Sequence, residues 1–152
     1  MNWWKLITAI LICEGMGLIG ATATTPKIGN WYSTLNKPFF NPPSWIFGPV
    51  WTLLFLLMGI SLYLVWQKNN DLTKPIFRWF WIQLVLNMLW SFIFFGMEKP
   101  GWALIEIIIL WWAIRKTMKN FPLLFPYLAW VSFATILNGA IWWLNKLSLF
   151  NI

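Results

Sequence analysis

Two of the four acidic residues in this chain, Glu14 and Glu106, lie in the middle of long apolar segments. A carboxyl group is costly to expose to lipid, so both side chains are expected to face the interior of a helical bundle. Each is equally compatible with a ligand contact and with a structural hydrogen bond across helices. Neither has an evident nucleophile partner, which makes an enzyme with its own catalytic dyad the least favoured class.

Amide and indole side chains recur at helical spacing in two other segments. Gln83, Asn87 and Trp90 follow an i, i+4, i+7 pattern and therefore share one helix face. Three residues further along the chain, Thr135, Asn138 and Trp142, follow an i, i+3, i+7 pattern and also share one face. Such groups either converge on a ligand or join helices through hydrogen bonds worth roughly 1 kcal/mol each.

The chain contains 15 tryptophans, and those near segment ends are explained as residues of the membrane interface. Four lie deeper, beside the polar positions: Trp51, Trp90, Trp130 and Trp142. These indoles would suit a flat apolar ligand, because aromatic pairs gain about 0.5–1.5 kcal/mol beyond area burial. There is no histidine, the most familiar axial ligand of haem, so a metal-free ring fits better than an iron porphyrin.

The composition indicates a membrane protein. Hydrophobic residues make up 60% of the chain and charged residues 10%, whereas soluble domains carry about 25% charged residues. The net charge is +7, but the basic residues flank apolar segments instead of forming a stripe, so the bilayer is the expected partner and nucleic acid is not. With no histidine and a single cysteine, the usual zinc sites, histidine-based catalysis and an intramolecular disulfide are excluded within this chain.

Five apolar segments are long enough for transmembrane helices: 3–24, 45–66, 76–97, 102–118 and 123–147. A 22-residue helix is about 33 Å long, enough for a hydrocarbon core of about 30 Å. The first segment is interpreted as a retained helix and not as a signal peptide, because Glu14 interrupts it and equally hydrophobic segments follow. We predict an all-α membrane protein with one domain, 1–152: a bundle of five transmembrane helices with a long folded first loop.

The distribution of basic residues predicts an orientation. Seven lie on the side of the N-terminus and four on the side of the long loop, which favours the N-terminus inside and the loop outside. The seven are Lys5, Lys68, Lys74, Arg78, Arg115, Lys116 and Lys119, and the four are Lys27, Lys37, Lys99 and Lys146.

The first loop and its flank, WYSTLNKPFFNPPSWIFGPVW at 31–51, combine prolines with aromatic rings and very little charge. Pro38, Pro42 and Pro43 restrict the backbone and remove hydrogen-bond donors. Composition alone favours an aromatic belt at headgroup depth over a lid folded inward across a cavity.

This block closely resembles the translocator protein family, also called tryptophan-rich sensory proteins or TspO. The third segment, QLVLNMLWSFIFFG, and the fifth, PYLAWVSFATILN, extend the resemblance over nearly the whole chain. It implies a five-helix membrane protein, often a homodimer, which for a bacterial-type member lies in the cell membrane. It also implies that the first loop is a lid over a pocket, which reverses the preference from composition.

The resemblance further implies ligands and ligand-binding residues. Family ligands are porphyrins such as protoporphyrin IX and haem, sterols in animal members, and benzodiazepine-site drugs; no covalent cofactor and no metal are expected. Some bacterial members break down porphyrin in light and oxygen, which makes Trp51 the candidate catalytic residue. Helical spacing adds Trp142 to the candidate site. The positions that match the family's motifs are Tyr32, Pro42, Trp51, Asn87, Trp90, Trp102, Trp130, Ala134 and Asn138.

We therefore expect a tetrapyrrole-binding membrane sensor or regulator that promotes light- and oxygen-dependent porphyrin degradation. The alternatives are a carrier of porphyrin, lipid or sterol, and a scaffold with a vestigial pocket. Gly139 stands where the family's sterol-linked segment has a tyrosine, which disfavours sterol transport; only a looser match remains at Leu57, Tyr63 and Lys68. Mitochondrial relatives have the orientation opposite to the one the charge count favours. The Gly- and Ala-rich first segment is a candidate dimer interface.

Overall fold

The computed structural model describes the backbone of residues 1–149 and the side chains of residues 1–146. Within this range the chain is helical and contains no strand. Its helices are α1 (Trp3–Ile28), α2 (Trp31–Thr34), α3 (Phe47–Asn69), α4 (Arg78–Ser91), α5 (Pro100–Thr117) and α6 (Phe125–Leu149). Short 3₁₀ turns lead into three of them, Ser44–Ile46 into α3, Pro75–Phe77 into α4 and Pro122–Leu124 into α6, and a π-helical turn, Phe92–Gly96, continues α4.

Four helical units among the described residues are long and apolar enough to cross a membrane: Trp3–Ile28, Ser44–Asn69, Pro75–Gly96 and Pro122–Lys146. The predicted all-α class is confirmed by this arrangement. The remaining long helix, α5, has 18 residues and carries three charged side chains, Glu106, Arg115 and Lys116. It is therefore shorter than the other four, which have 22 to 26 residues.

The first helix runs four residues beyond the predicted segment and passes through Pro26. Asn30 Nδ2 donates to Pro26 O at 2.9 Å and satisfies a carbonyl group at the helix end. Lys27 in the last turn is placed favourably for the helix dipole. The connection between α1 and α3 is correspondingly shorter than predicted, and it contains α2.

The helices alternate in direction, so the molecule has two distinct ends. The starts of α1, α4 and α6 meet the ends of α3 and α5 at what we call the basic end. Lys5 Nζ of α1 donates to Asn70 Oδ1 after α3 at 2.7 Å, and the rings of Phe77 and Phe121 lie 6.0 Å apart there. The opposite, loop end holds α2 and the first loop. The basic end therefore carries the seven cations that the sequence grouped together, whereas the membrane side that it faces stays a prediction.

Close packing of α1 against α3 depends on a glycine. A Cβ atom added to Gly59 would lie 2.7 Å from Ile10 Cα, which is shorter than real contacts allow. Small residues allow helix backbones to approach in this way. The buried residues Ala9, Cys13 and Met58 fill the same contact region. Toward the loop end, the space next to these two helices becomes a cavity.

Candidate ligand cavity

A cavity of about 230 Å³ lies toward the loop end of the bundle. The residues around it come from α1, from α2, from the first half of α3, from α4 with its π-helical turn, and from α6. Its exposed lining residues lie on α1 and α3: Leu18, Thr25, Gly48 and Thr52. The cavity therefore opens to the outside between these two helices.

Three tryptophans from three different helices line the cavity: Trp51 of α3, Trp90 of α4 and Trp130 of α6. Trp90 is stacked on Phe94 with ring centroids 5.0 Å apart. Trp51 lies 5.8 Å from Phe55 at a tilted angle. The walls thus present large aromatic faces, which is the chemistry expected for a flat apolar ligand.

Two asparagine side chains combine a lining role with hydrogen bonds between helices. Asn87 Nδ2 donates to the Tyr127 hydroxyl at 2.6 Å. Asn138 Oδ1 accepts from Trp90 Nε1 at 3.0 Å, and Asn138 Nδ2 donates to Pro100 O at 2.8 Å. Asn138 therefore joins α4, α5 and α6, and it holds the Trp90 ring in place. These amides can therefore join helices through hydrogen bonds and also contact a ligand, because both asparagines line the cavity.

The remaining two cavity indoles differ from Trp90 in their hydrogen bonding. Trp90 uses its N–H group on Asn138, whereas Trp51 and Trp130 donate to no residue in the described part of the chain. Buried indole N–H groups usually find an acceptor. The N–H groups of Trp51 and Trp130 thus have no acceptor within the described residues.

Part of the first loop covers the cavity. Tyr32 is 3% exposed, lines the cavity and packs against Phe95 with ring centroids 5.6 Å apart. Its hydroxyl donates to Asn41 Oδ1 at 2.7 Å. Burial is the larger effect on the pKa of Tyr32 and raises it to about 12, against the smaller opposing effect of the hydrogen bond to Asn41. The phenol is therefore a neutral donor at physiological pH.

A second contact fixes the loop to the end of α6. Asn145 Oδ1 accepts from Asn36 N at 2.9 Å, and Asn145 Nδ2 donates to Asn36 O at 2.8 Å. Phe39 and Trp45, by contrast, are 100% and 74% exposed. The aromatic belt that the composition favoured therefore applies only to Phe39 and Trp45. The part of the loop around Tyr32 instead folds inward over the cavity, as the resemblance implied.

Seven of the ten predicted ligand-binding residues line the cavity: Tyr32, Trp51, Asn87, Trp90, Trp130, Ala134 and Asn138. The other three do not line it. Trp102 points outward and is 67% exposed, because its neighbour Ala103 faces the bundle. Trp142 packs on α5, where a Cβ atom at Gly101 would lie 2.8 Å from its Nε1. Pro42 lies in the loop and accepts a bond from Asn41 Nδ2.

The cavity also contains residues that the sequence analysis did not single out. Some lie on the same helix faces as predicted residues, since Ser91 follows Asn87 by four positions and Ile141 follows Asn138 by three. Extending those faces by one turn would have found them. Phe55 follows Trp51 by four positions and could have been found in the same way, whereas Thr24 had no such signal. Glu14 lines the cavity, whereas Glu106 is buried elsewhere with no hydrogen-bond partner among the described residues.

Several known proteins are similar to this chain over most of its length. The family model described as the TspO/MBR family matches residues 9–144. The tryptophan-rich protein TspO of Archaeoglobus fulgidus is 42% identical over 95% of this chain and 99% of its own length. The protein of the same name from Chlorobaculum tepidum is 45% identical over 92% of this chain and 95% of its own length. The human translocator protein is 37% identical over 74% of this chain and 73% of its own length.

Proposed function

Because this chain belongs to the TspO/MBR family and is an integral membrane protein, we propose that it is a tetrapyrrole-binding sensor or regulator. Its ligand is protoporphyrin IX or haem, bound without a covalent link. We further propose that it promotes light- and oxygen-dependent degradation of the bound porphyrin. The site is the cavity beneath the first loop. The observation that carries the proposal is the meeting of Trp51, Trp90 and Trp130 around one cavity.

The proposal includes a single domain, 1–152, with five transmembrane helices. The packing of α5 supports its inclusion, since Ala103, Ile107 and Leu110 are buried in the bundle. Its opposite face exposes an apolar row suited to lipid, Ile105, Ile108, Ile109 and Trp112. Eighteen residues make a helix of about 27 Å, so α5 must stand nearly upright in a core of about 30 Å.

The residues present fit a tetrapyrrole in kind. The cavity volume of about 230 Å³ lies below the range of about 300–1000 Å³ that is usual for ligand cavities. A tetrapyrrole would therefore fill the cavity and extend through its open side. That side lies between α1 and α3, where Leu18 and Thr52 are exposed. The indole faces supply stacking surface, and the N–H groups of Trp51 and Trp130 supply donors for polar groups on the ring edge.

Each side chain has a separate task in this proposal. A bound porphyrin absorbs visible light, and dioxygen is the oxidant. Asn138 keeps Trp90 rigid through its hydrogen bond, so that Trp90 orients the ligand. Trp51, which makes no hydrogen bond within the described residues, either donates an electron to the photoexcited porphyrin or reacts with the activated oxygen species that the porphyrin generates from dioxygen. The protein contributes position and confinement, and needs no acid–base residue.

The same cavity is proposed to accept benzodiazepine-site drugs, since these are also aromatic and apolar. We propose a bacterial cell membrane as the location and a homodimer as the assembly. The candidate interface is on the Gly- and Ala-rich helix α1, because small residues allow close helix contact.

The test uses purified protein in detergent, titrated with protoporphyrin IX in the dark while tryptophan fluorescence is recorded. Saturable quenching is expected. Subsequent illumination in air should remove the porphyrin absorbance faster than in detergent alone. Trp51→Phe should slow this loss by at least tenfold, because phenylalanine is a much poorer electron donor.

Trp102→Phe is the matched control, since Trp102 lies outside the cavity lining and is mostly exposed. It should leave binding and degradation unchanged. Equal rates for wild type and Trp51→Phe would contradict the role of Trp51. A lack of saturable quenching would remove porphyrin from the proposal altogether.

A carrier of porphyrin, lipid or sterol is the second candidate, and the open side of the cavity favours it. An opening between α1 and α3 would let an apolar molecule exchange with the bilayer without crossing water. This function predicts dark transfer of intact porphyrin between vesicles, with no photochemical loss. Gly139 in place of the family's tyrosine weakens the sterol version.

A further inference from the structure

A cluster of tryptophans and cations lies at the basic end, far from the cavity. It joins the first turn of α4 to the last turns of α5. We call it the tryptophan–cation cluster, and it consists of Arg78, Trp79, Trp111, Trp112, Arg115 and Lys116. At its centre the rings of Trp79 and Trp112 meet edge to face with centroids 5.0 Å apart.

Each cation in the cluster is held against an indole. Arg78 Cζ lies 5.6 Å from the centroid of Trp79, and Lys116 Nζ lies 4.9 Å from that of Trp112. Arg115 Cζ is 5.6 Å from Trp111. Such contacts orient a cation without neutralising it. The cluster therefore presents three positive charges, each beside an indole ring.

No carboxylate among the described residues pairs with these three charges. The one salt bridge among the described residues joins Lys27 to Glu98 at the loop end. Asp71, the acidic residue of the basic end, is engaged in its own turn, where its carboxylate accepts from Thr73 N at 2.9 Å and Thr73 Oγ1 at 2.7 Å. The cluster thus has charge for which the chain itself provides no partner.

The surroundings of the cluster define what kind of anion it can meet. Trp112 is 49% exposed, and the exposed face of α5 continues from it through Ile109, Ile108 and Ile105. In a membrane protein that apolar face contacts acyl chains, and the adjoining tryptophans lie at headgroup depth. A lipid phosphate can therefore reach these charges while its acyl chains contact the apolar face of α5.

We propose that the tryptophan–cation cluster is a binding site for one anionic phospholipid. Its phosphate lies between Arg78 and Lys116, with Arg115 as the third cation, and its acyl chains follow the isoleucine face of α5. Arginine suits this role because its planar guanidinium binds phosphate oxygens in pairs. A zwitterionic phospholipid would bring its own cation into the cluster and bind more weakly.

The experiment measures lipid binding by native mass spectrometry of the full-length protein in detergent, titrated with phosphatidylglycerol or phosphatidylcholine. The wild type should bind one phosphatidylglycerol at least tenfold more tightly than phosphatidylcholine. Arg78→Gln combined with Lys116→Gln should weaken phosphatidylglycerol binding by at least tenfold, since one basic residue near a headgroup contributes roughly fivefold. Arg78→Lys combined with Lys116→Arg keeps both charges and should retain most of the binding.

The matched control removes two charges from the same end but outside the cluster. Lys5 is bonded to Asn70 and lies 5.4 Å from Trp66, and Lys68 is in the last turn of α3. Lys5→Gln combined with Lys68→Gln should change phosphatidylglycerol affinity by less than twofold. Circular dichroism verifies that each variant keeps the wild-type helix content.

Three results would overturn the proposal. Equal losses in the two double glutamine variants would mean a general charge effect of the basic end. Equal affinity of the wild type for the two lipids would mean that no anion site exists. Displacement of the lipid by millimolar glycerol 3-phosphate would mean that the cluster binds soluble phosphates and not a membrane lipid.

Discussion

At the scale of single residues, Asn138 is buried in the cavity wall and makes hydrogen bonds to two other helices. It is 1% exposed, and its amide holds both the Trp90 indole and the Pro100 carbonyl. No other side chain in the described residues links α4, α5 and α6 in this way. The asparagine therefore connects ligand geometry to the stability of the bundle.

Asn138→Leu should lower the thermal unfolding temperature in detergent by several degrees. The substitution leaves the Trp90 N–H and the Pro100 carbonyl without partners, and an unpaired buried polar group costs about 1–3 kcal/mol. Asn120→Leu is the control, because Asn120 is exposed and its side chain makes no described hydrogen bond. Equal unfolding temperatures for the two variants would contradict the structural role of Asn138.

At the scale of helices, contact between α1 and α3 sets the width of the bundle next to the cavity. The backbones touch at Gly59 and Ile10 and leave space toward the loop end, where Leu18 and Thr52 line the opening. The position of the closest contact thus decides where the helices begin to diverge.

Gly59→Ala should destabilise the protein by about 1–3 kcal/mol, because the added Cβ forces the two backbones apart. The expected observation is a lower unfolding temperature together with a changed affinity for the cavity ligand. Gly15→Ala is the matched control on α1, since a Cβ there meets nothing within 4 Å. Alanine has the higher helix propensity, so that variant should be as stable as wild type or more stable. Unchanged stability of Gly59→Ala would show that α1 and α3 can separate at no cost.

At the scale of the whole molecule, charge is distributed unequally between the two ends. The basic end has seven cations and the loop end four, in agreement with the grouping that the sequence predicted. At the loop end, Glu98 pairs with Lys27 and lowers the net charge further. The positive-inside tendency therefore predicts the basic end in the cytoplasm.

Cysteine labelling in intact bacterial cells measures this orientation. Lys99→Cys at the loop end should react with a membrane-impermeant maleimide, whereas Lys68→Cys at the basic end should react only after the cells are opened. Both positions are exposed, and the native Cys13 is fully buried, so background labelling should be low. The reverse pattern would place the N-terminus outside.

The sequence by itself determined the class of protein, the approximate position of every long helix, and the polar faces of two of them. The spacing alone placed Asn87 with Trp90 on one face and Asn138 on another, whereas Ala134 entered the candidate site through the family resemblance. This was possible because hydrophobic runs and the 3.6-residue period are local properties of the chain. The characteristic aromatic loop block also identified the family before any contact was known.

Only the tertiary structure decided which of the many aromatic residues face the cavity. The family's motif positions included both Trp90 and Trp102, yet Trp90 lines the cavity and Trp102 points outward. The same holds for the loop, where Tyr32 is buried and Phe39 is fully exposed. The reason is physical: the rotation of a helix and the fold of a loop depend on contacts between distant residues, such as Asn36 with Asn145 and Gly59 with Ile10.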